Sequence, residues 1–90
     1  MFYPLRTTQF KRDSKLAEKR KKPMHNLKSI MTKLTKGEQL DPKHRDHKLT
    51  GDYKDHRECH IEPDWLLIYK VEGANITFVR TGSHSDLFKK

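Results

Sequence analysis

Apolar residues recur along this chain in two rhythms. From Met24 to Lys36, the residues Met24, Leu27, Ile30, Met31 and Leu34 fall three or four apart, which places them on one side of a helix. Lys33 and Lys36 suit the negative end of that helix, and Gly37 is a natural terminator. Upstream, Thr7 or Thr8 can cap a first helix running to about Lys22, with a narrower stripe of Phe10, Leu16 and Ala17. Glu18 and Lys22 can pair across one turn, and Pro23 breaks the helix. Together the two segments predict a basic antiparallel helical hairpin with a thin apolar seam.

The second rhythm is alternation. Phe2–Arg6 reads as a short strand that Pro4 confines to an edge. After a polar loop over Glu38–Asp52, strands are expected over about Tyr53–Ile61, Asp64–Val71 and Asn75–Thr81. The Glu62-Pro63 break and the Glu72-Gly73-Ala74 turn join them as antiparallel neighbours. Trp65–Val71 is apolar on both faces, which predicts a central strand. In the first of the three, Tyr53, Arg57, Cys59 and Ile61 share one face, and His56, Glu58 and His60 share the other. No repeat or low-complexity tract interrupts the pattern, so residues 1–90 are expected to form a single domain.

Composition sharpens this picture. Apolar residues make up 32% of the chain and charged residues 36%, which leaves material for a modest core. The formal charge of +8 is uneven: residues 1–36 hold eleven Lys/Arg against two acids, whereas residues 37–90 hold nine against ten. A block of that kind points to a polyanion or an acidic protein partner. The single cysteine, Cys59, rules out an internal disulfide and fits a reducing cytoplasm. No apolar run approaches the ~20 residues of a membrane span, and the opening Met1-Phe2-Tyr3-Pro4-Leu5-Arg6 is too short and polar for a signal peptide.

Histidines on a basic protein suggest RNA cleavage without a metal. The reaction needs a base for the 2′-hydroxyl, an acid for the leaving 5′ oxygen, and cations for the pentavalent phosphate. His47, His60 and His84 supply titratable groups, and Arg80 and Arg57 supply planar cations. Asp64 can orient a histidine or cap a turn, and Trp65 or Phe88 can stack on a base, although Trp65, opening an apolar strand, reads first as core and Phe88 can pack against the sheet. The spacings of His44 with His47, and of His56 with His60 beside Cys59, raise the alternative of zinc. Strand alternation opposes it, because Cys59 points away from His56 and His60.

The ordered set of motifs is more specific than any one of them. Behind the helical hairpin come Asp46-His47-x-Leu49-x-Gly51, Arg57-x-x-His60-x-x-x-Asp64-Trp65-Leu66-Leu67-Ile68-Tyr69, Arg80-Thr81-Gly82-Ser83-His84, and Leu87-Phe88. This set resembles the YafQ branch of the RelE-type toxins of bacterial toxin–antitoxin pairs. The resemblance implies an α+β fold, with an N-terminal strand and two helices packed on a small twisted antiparallel sheet. It implies a cytoplasmic, ribosome-dependent endoribonuclease that cuts mRNA and needs no cofactor. An antitoxin protein would neutralise it, and operator DNA would be met only through the antitoxin complex. Carried over by position, the active-site histidines fall on His47, His60 and His84, the acidic partner on Asp64, the terminal aromatic on Phe88, and a supporting arginine on Arg80. The chain departs from the pattern at Glu58-Cys59, and His44 and His56 have no counterpart role.

On this reading His47 is the base and His84 the acid, or the reverse. His60 and Arg80 stabilise the phosphate, and Lys19, Arg20, Lys21 and Lys22 dock on ribosomal RNA. The rival readings are a nucleic-acid-binding regulator without catalysis and a decayed toxin that only binds its antitoxin.

Overall fold

The computed structural model describes residues 1–88. Strand β1 (Tyr3–Arg6) leads into helix α1 (Thr8–Lys19) and helix α2 (Met24–Thr35). A 3-10 turn over Pro42–His44 precedes the two-residue strand β2 (His47–Lys48). Strands β3 (Arg57–Glu62), β4 (Trp65–Glu72) and β5 (Asn75–Gly82) follow, and a single-turn helix α3 (His84–Leu87) comes last. The strands form one sheet in the order β1-β5-β4-β3-β2, with β1 parallel to β5 and every other pair antiparallel. The α+β architecture expected from the sequence is therefore the one observed, with β4 in the middle of the sheet.

Thr7 starts α1 as predicted. Its hydroxyl accepts from the Phe10 N–H at 2.9 Å and donates to the Val79 carbonyl at 2.8 Å, so the cap also fastens the helix to β5. α1 buries Phe10, Asp13 and Ala17, and α2 buries Leu27, Ile30 and Leu34. Leu16, expected in the seam, is exposed. α1 also ends a turn earlier than predicted. Lys21 takes a left-handed φ of 60°, and the N–H groups of Lys21 and Lys22 close back on the carbonyls of Glu18 and Ala17. A lysine in that conformation costs about 1 kcal/mol. Lys19–Lys22 is thus a helix end and a turn, rather than one basic helical face. The loop expected over Glu38–Asp52 contains β2, and the first of the three predicted strands begins at Arg57, because Gly51–Tyr53 forms a 3-10 turn and Asp55 has φ 68°.

Both helices cover one face of the sheet. Phe10, Leu27, Ile30 and Leu34 pack there with Cys59, Trp65, Leu67, Tyr69 and Phe78. On the opposite face Leu66, Ile68 and Leu87 form a smaller apolar layer, flanked by Leu49, Tyr53, Val79 and Phe88. That face has no helix hairpin over it, and it carries the histidines.

Candidate active site

Three strand ends and α3 bring the predicted histidines together. His60 sits on β3 opposite Leu66, two residues beyond Glu58, which sits opposite Ile68. β2 sets His47 directly opposite Glu58. β5 then delivers His84 as the first residue of α3. The His47 and His60 rings lie 6.5 Å apart and the His60 and His84 rings 5.7 Å apart, so the three form a continuous row.

α3 is held where it is by short-range chemistry. The Ser83 hydroxyl accepts from the Asp86 N–H at 3.1 Å, and Asp86 accepts from the Ser83 N–H at 3.0 Å, a reciprocal cap that fixes the turn just ahead of His84. Gly82 lets this turn fold back tightly, since a Cβ at that position would lie 2.9 Å from the Asp86 Cβ. Arg20 clamps Asp86 from α1's end at 2.7 Å. Together with the Ser83 N–H, that guanidinium holds the Asp86 carboxyl well below its usual range, at about 2.

Each ring has a partner that fixes which nitrogen is available. The His47 Nδ1 is 2.6 Å from the Arg45 carbonyl. A carbonyl only accepts, so Nδ1 carries the hydrogen and Nε2 of the neutral ring keeps its lone pair. That Nε2 lies 3.8 Å from Glu58. The His60 Nε2 is closer to the same carboxylate, at 3.2 Å, and the His60 backbone carbonyl accepts from the His44 Nδ1 at 2.7 Å. Asp64, in the turn between β3 and β4, is 2.7 Å from the His84 Nδ1 and accepts from the His84 backbone N–H at 2.9 Å. These two bonds, the backbone one first, hold the Asp64 carboxyl below its ordinary value.

Sequence reasoning missed the part played by Glu58. It is 5% exposed and stands between two imidazoles. The signal was present in the two-residue spacing that puts Glu58 and His60 on one face of β3.

The structure corrects several other sequence assignments. Trp65 is 1% exposed within the helix-side core, so it is not available to stack on a base. Arg57 lies on the helix side too, where its Nε donates to Asp46 at 3.1 Å and the Tyr69 hydroxyl donates to the same carboxylate at 2.7 Å. It does not face the histidines. Burial and Asp46 push the Tyr69 phenol well up. Arg80 lies on the histidine face opposite Ile68, yet Asp13 of α1 holds its Nε at 2.9 Å and one Nη at 3.1 Å. Asp13 is itself buried and also accepts from the Thr81 N–H. Within the basic run, Arg20 is paired with Asp86, and Lys22 is paired with Glu62 at 3.2 Å while lying 5.9 Å above the Trp65 ring. Lys19 and Lys21 alone of the four are exposed without an ion pair among the described residues. Phe88 packs edge-on to Tyr53 at 5.9 Å, on the histidine face and half-buried. Cys59 points to the helix side as its strand position required, fully buried, with its thiol pushed up by burial.

Two helices on one face of a five-stranded sheet, with a histidine row on the other, are the arrangement that the resemblance to RelE-type toxins implied. The family model described as the bacterial toxin of type II toxin–antitoxin systems, YafQ, matches residues 3–89. The mRNA interferase toxin YafQ of Escherichia coli strain K12 is 46% identical over 81 residues, which cover 89% of this chain and 88% of that protein. The crystal structure of YafQ from Escherichia coli strain BL21(DE3) superposes with a TM-score of 0.93 at 40% identity, covering 98% of this chain and 99% of the other. A second crystal structure, the Escherichia coli DinJ–YafQ complex, matches with a TM-score of 0.90 at 42% identity over 98% and 99% of the two chains. The chain belongs to the YafQ family of type II toxins. Its Escherichia coli relative is an mRNA interferase, that is, an endoribonuclease.

Proposed function

We propose that this toxin is an endoribonuclease that cuts mRNA on the ribosome by histidine acid–base chemistry, without a metal ion. His47 Nε2 takes the proton from the 2′-hydroxyl. The 2′ oxygen forms a bond to phosphorus as the bond from phosphorus to the 5′ oxygen breaks. His84 Nε2 gives its proton to the departing 5′ oxygen, leaving a 2′,3′-cyclic phosphate and a free 5′-hydroxyl. His60 lies between the two and, as an imidazolium with Nε2–H on Glu58, donates its Nδ1–H to the phosphate oxygens as negative charge develops. Asp64 and Glu58 position the rings, and Arg80, tied to Asp13, holds the end of β5 ahead of His84.

The observation that carries this reading is the row of three imidazoles at 6.5 and 5.7 Å, each with a fixed tautomer or a carboxylate partner. Dependence on the ribosome is supported by the openness of the site. Trp65 is withdrawn into the core and His84 is exposed, so an outside body would have to hold the RNA in line for attack. By its likeness to the Escherichia coli protein crystallised with DinJ as a toxin–antitoxin complex, the toxin pairs with a cognate antitoxin. It acts in the cytoplasm, where mRNA is translated.

The test is induction of the wild type beside His84→Ala and His47→Ala in a bacterial host, with growth recorded and mRNA 5′ ends mapped. Growth arrest with discrete cuts inside translated frames, reduced about 10²- to 10⁴-fold in each variant, is expected. A folded wild type that neither arrests growth nor cuts would overturn the enzyme reading in favour of a binding protein or a decayed toxin.

A further inference from the structure

The cations expected to hold RNA are largely engaged elsewhere. Arg20, Lys22, Arg57 and Arg80 are each paired with a carboxylate of this chain. A different set lies beside the histidines. A cleft of about 850 Å³ runs from His60 and His84 between α2 and the turn after Pro42. Asn26, Ser29 and Lys33 of α2 line one side of it, and Lys43 and Arg45 line the other. Lys33, Lys43 and Arg45 are exposed and take part in no ion pair among the described residues. The acidic group in the wall, Glu62, is already paired with Lys22. Arg45 sits in a left-handed conformation, φ 48°, at the end of the 3-10 turn. His44, bonded to the His60 carbonyl, ties that turn to the row of histidines.

The cleft reaches His60 and His84, and His47 is not part of its lining. That asymmetry gives it a direction. His84 acts on the 5′ oxygen, which belongs to the nucleotide downstream of the cut, whereas His47 acts on the upstream ribose. We propose that the cleft between α2 and the Pro42–Arg45 turn is the track for the RNA strand on the 3′ side of the cut, with Lys33, Lys43 and Arg45 on its phosphates and Asn26 and Ser29 within reach of its polar edges. This rests on the assignment of base and acid made above. Phosphate contacts of this kind hold the strand in register without reading its sequence.

Two measurements test it. First, ribosomes are programmed with an mRNA carrying a single 2′-deoxynucleotide at the cut position, which wild-type toxin binds and cannot cut. Photoreactive 4-thiouridine is placed either two nucleotides upstream or two downstream. Crosslinks from the downstream probe to the peptides around Ser29–Lys33 or Lys43–Arg45 are expected. Crosslinks to those peptides from the upstream probe alone, or from neither probe, would overturn the proposal.

Second, Lys33→Gln/Lys43→Gln toxin is compared with wild type on cleavable programmed ribosomes. About a tenfold rise in KM with kcat within about twofold is expected, and the slope of log KM against log salt should fall by about 1.4, from two single-strand phosphate contacts. Lys11→Gln/Lys15→Gln, on exposed α1, is the charge-matched control. Equal effects in the two double variants would mean a loss of general charge and would overturn the assignment. The two readings fail separately: downstream crosslinks without any cleavage of the normal mRNA would remove the enzyme and keep the track, and cleavage with upstream crosslinks would do the opposite.

Discussion

One oxygen of Asp64 serves His84 twice, accepting its backbone N–H at 2.9 Å and lying 2.7 Å from its Nδ1. The carboxyl is held below its ordinary pKa, so it is ionised at neutral pH and acts only as an acceptor. It therefore fixes the ring's rotation and its tautomer together, and it leaves Nε2 facing out. Asp64→Asn can meet Nδ1 as either donor or acceptor and loses that choice. Cleavage should fall about 10- to 100-fold, by analogy with other oriented imidazoles, while thermal unfolding barely moves because the group is exposed. A loss of cleavage with a matching loss of stability would show that Asp64 merely holds the turn.

Glu58 should matter as much, although its place in the motif did not assign it a role. It is buried beneath His47 and His60, at 3.8 and 3.2 Å from their Nε2 atoms. Glu58→Gln keeps the shape and removes the charge between the rings. Turnover is expected to drop by about tenfold or more with the sheet intact, as a buried charge-assisted hydrogen bond is lost. Nitrogen-15 spectra of the histidine rings would check this directly: the His47 and His60 signals should change and the His84 signals should not.

Gly82 is required for space rather than for backbone conformation. A Cβ there would meet the Asp86 Cβ at 2.9 Å, and Asp86 is already fastened to both Ser83 and Arg20. Gly82→Ala should push α3 off the sheet and carry His84 with it. A stability loss of about 1–3 kcal/mol is expected, with a larger proportional loss of cleavage. Denaturant unfolding beside turnover measures both, and a fully active variant would show that the turn yields more easily than its contacts suggest.

Acid should loosen the same corner. The Asp86 carboxyl titrates at about 2, below its free value of 3.8, chiefly because of Arg20. A depressed pKa contributes stability that is complete above about pH 4 and disappears as pH falls toward 2. Arg20 is exposed, so solvent screening leaves only a small part of this. The unfolding midpoint of wild type should lie slightly above that of Asp86→Asn at pH 6, and the two should converge near pH 2. A constant difference across the range would mean that Arg20 and Asp86 are not coupled.

Much of this architecture was readable because it is written in local pattern. The α2 stripe from Met24 to Leu34, the two-faced apolar run of β4 and the Thr7 cap each depend on residues within a few positions of one another. The histidine row was legible from the order of motifs, since neither composition nor periodicity says that residues 47, 60 and 84 meet. What escaped depends on distant partners. Asp13 captures Arg80 across 67 residues and Arg20 reaches Asp86 across 66, so their charges look free in the sequence. Trp65 is different, since its place at the head of an apolar strand already read as core ahead of a stacking platform. The early end of α1 at a left-handed Lys21 has no glycine to announce it. α3 had a readable sign, Ser83 followed three residues later by Asp86, but one turn of helix leaves no periodicity behind it.

The pairing of β1 with β5 has a consequence for timing. Tyr3–Arg6 lies alongside Asn75–Phe78, Thr7 is bonded to Val79, and Asp13 to Arg80 and Thr81. β1 and α1 therefore wait for β5, made later in the chain, before the strand has a neighbour or the buried Asp13 a counter-ion. Long-range closure of this kind comes late in folding. The same late stretch brings His84. Sheet and histidine row are thus completed by one event, and a growing chain stopped short of β5 has neither. The histidine face therefore exists only once β5 has joined the sheet.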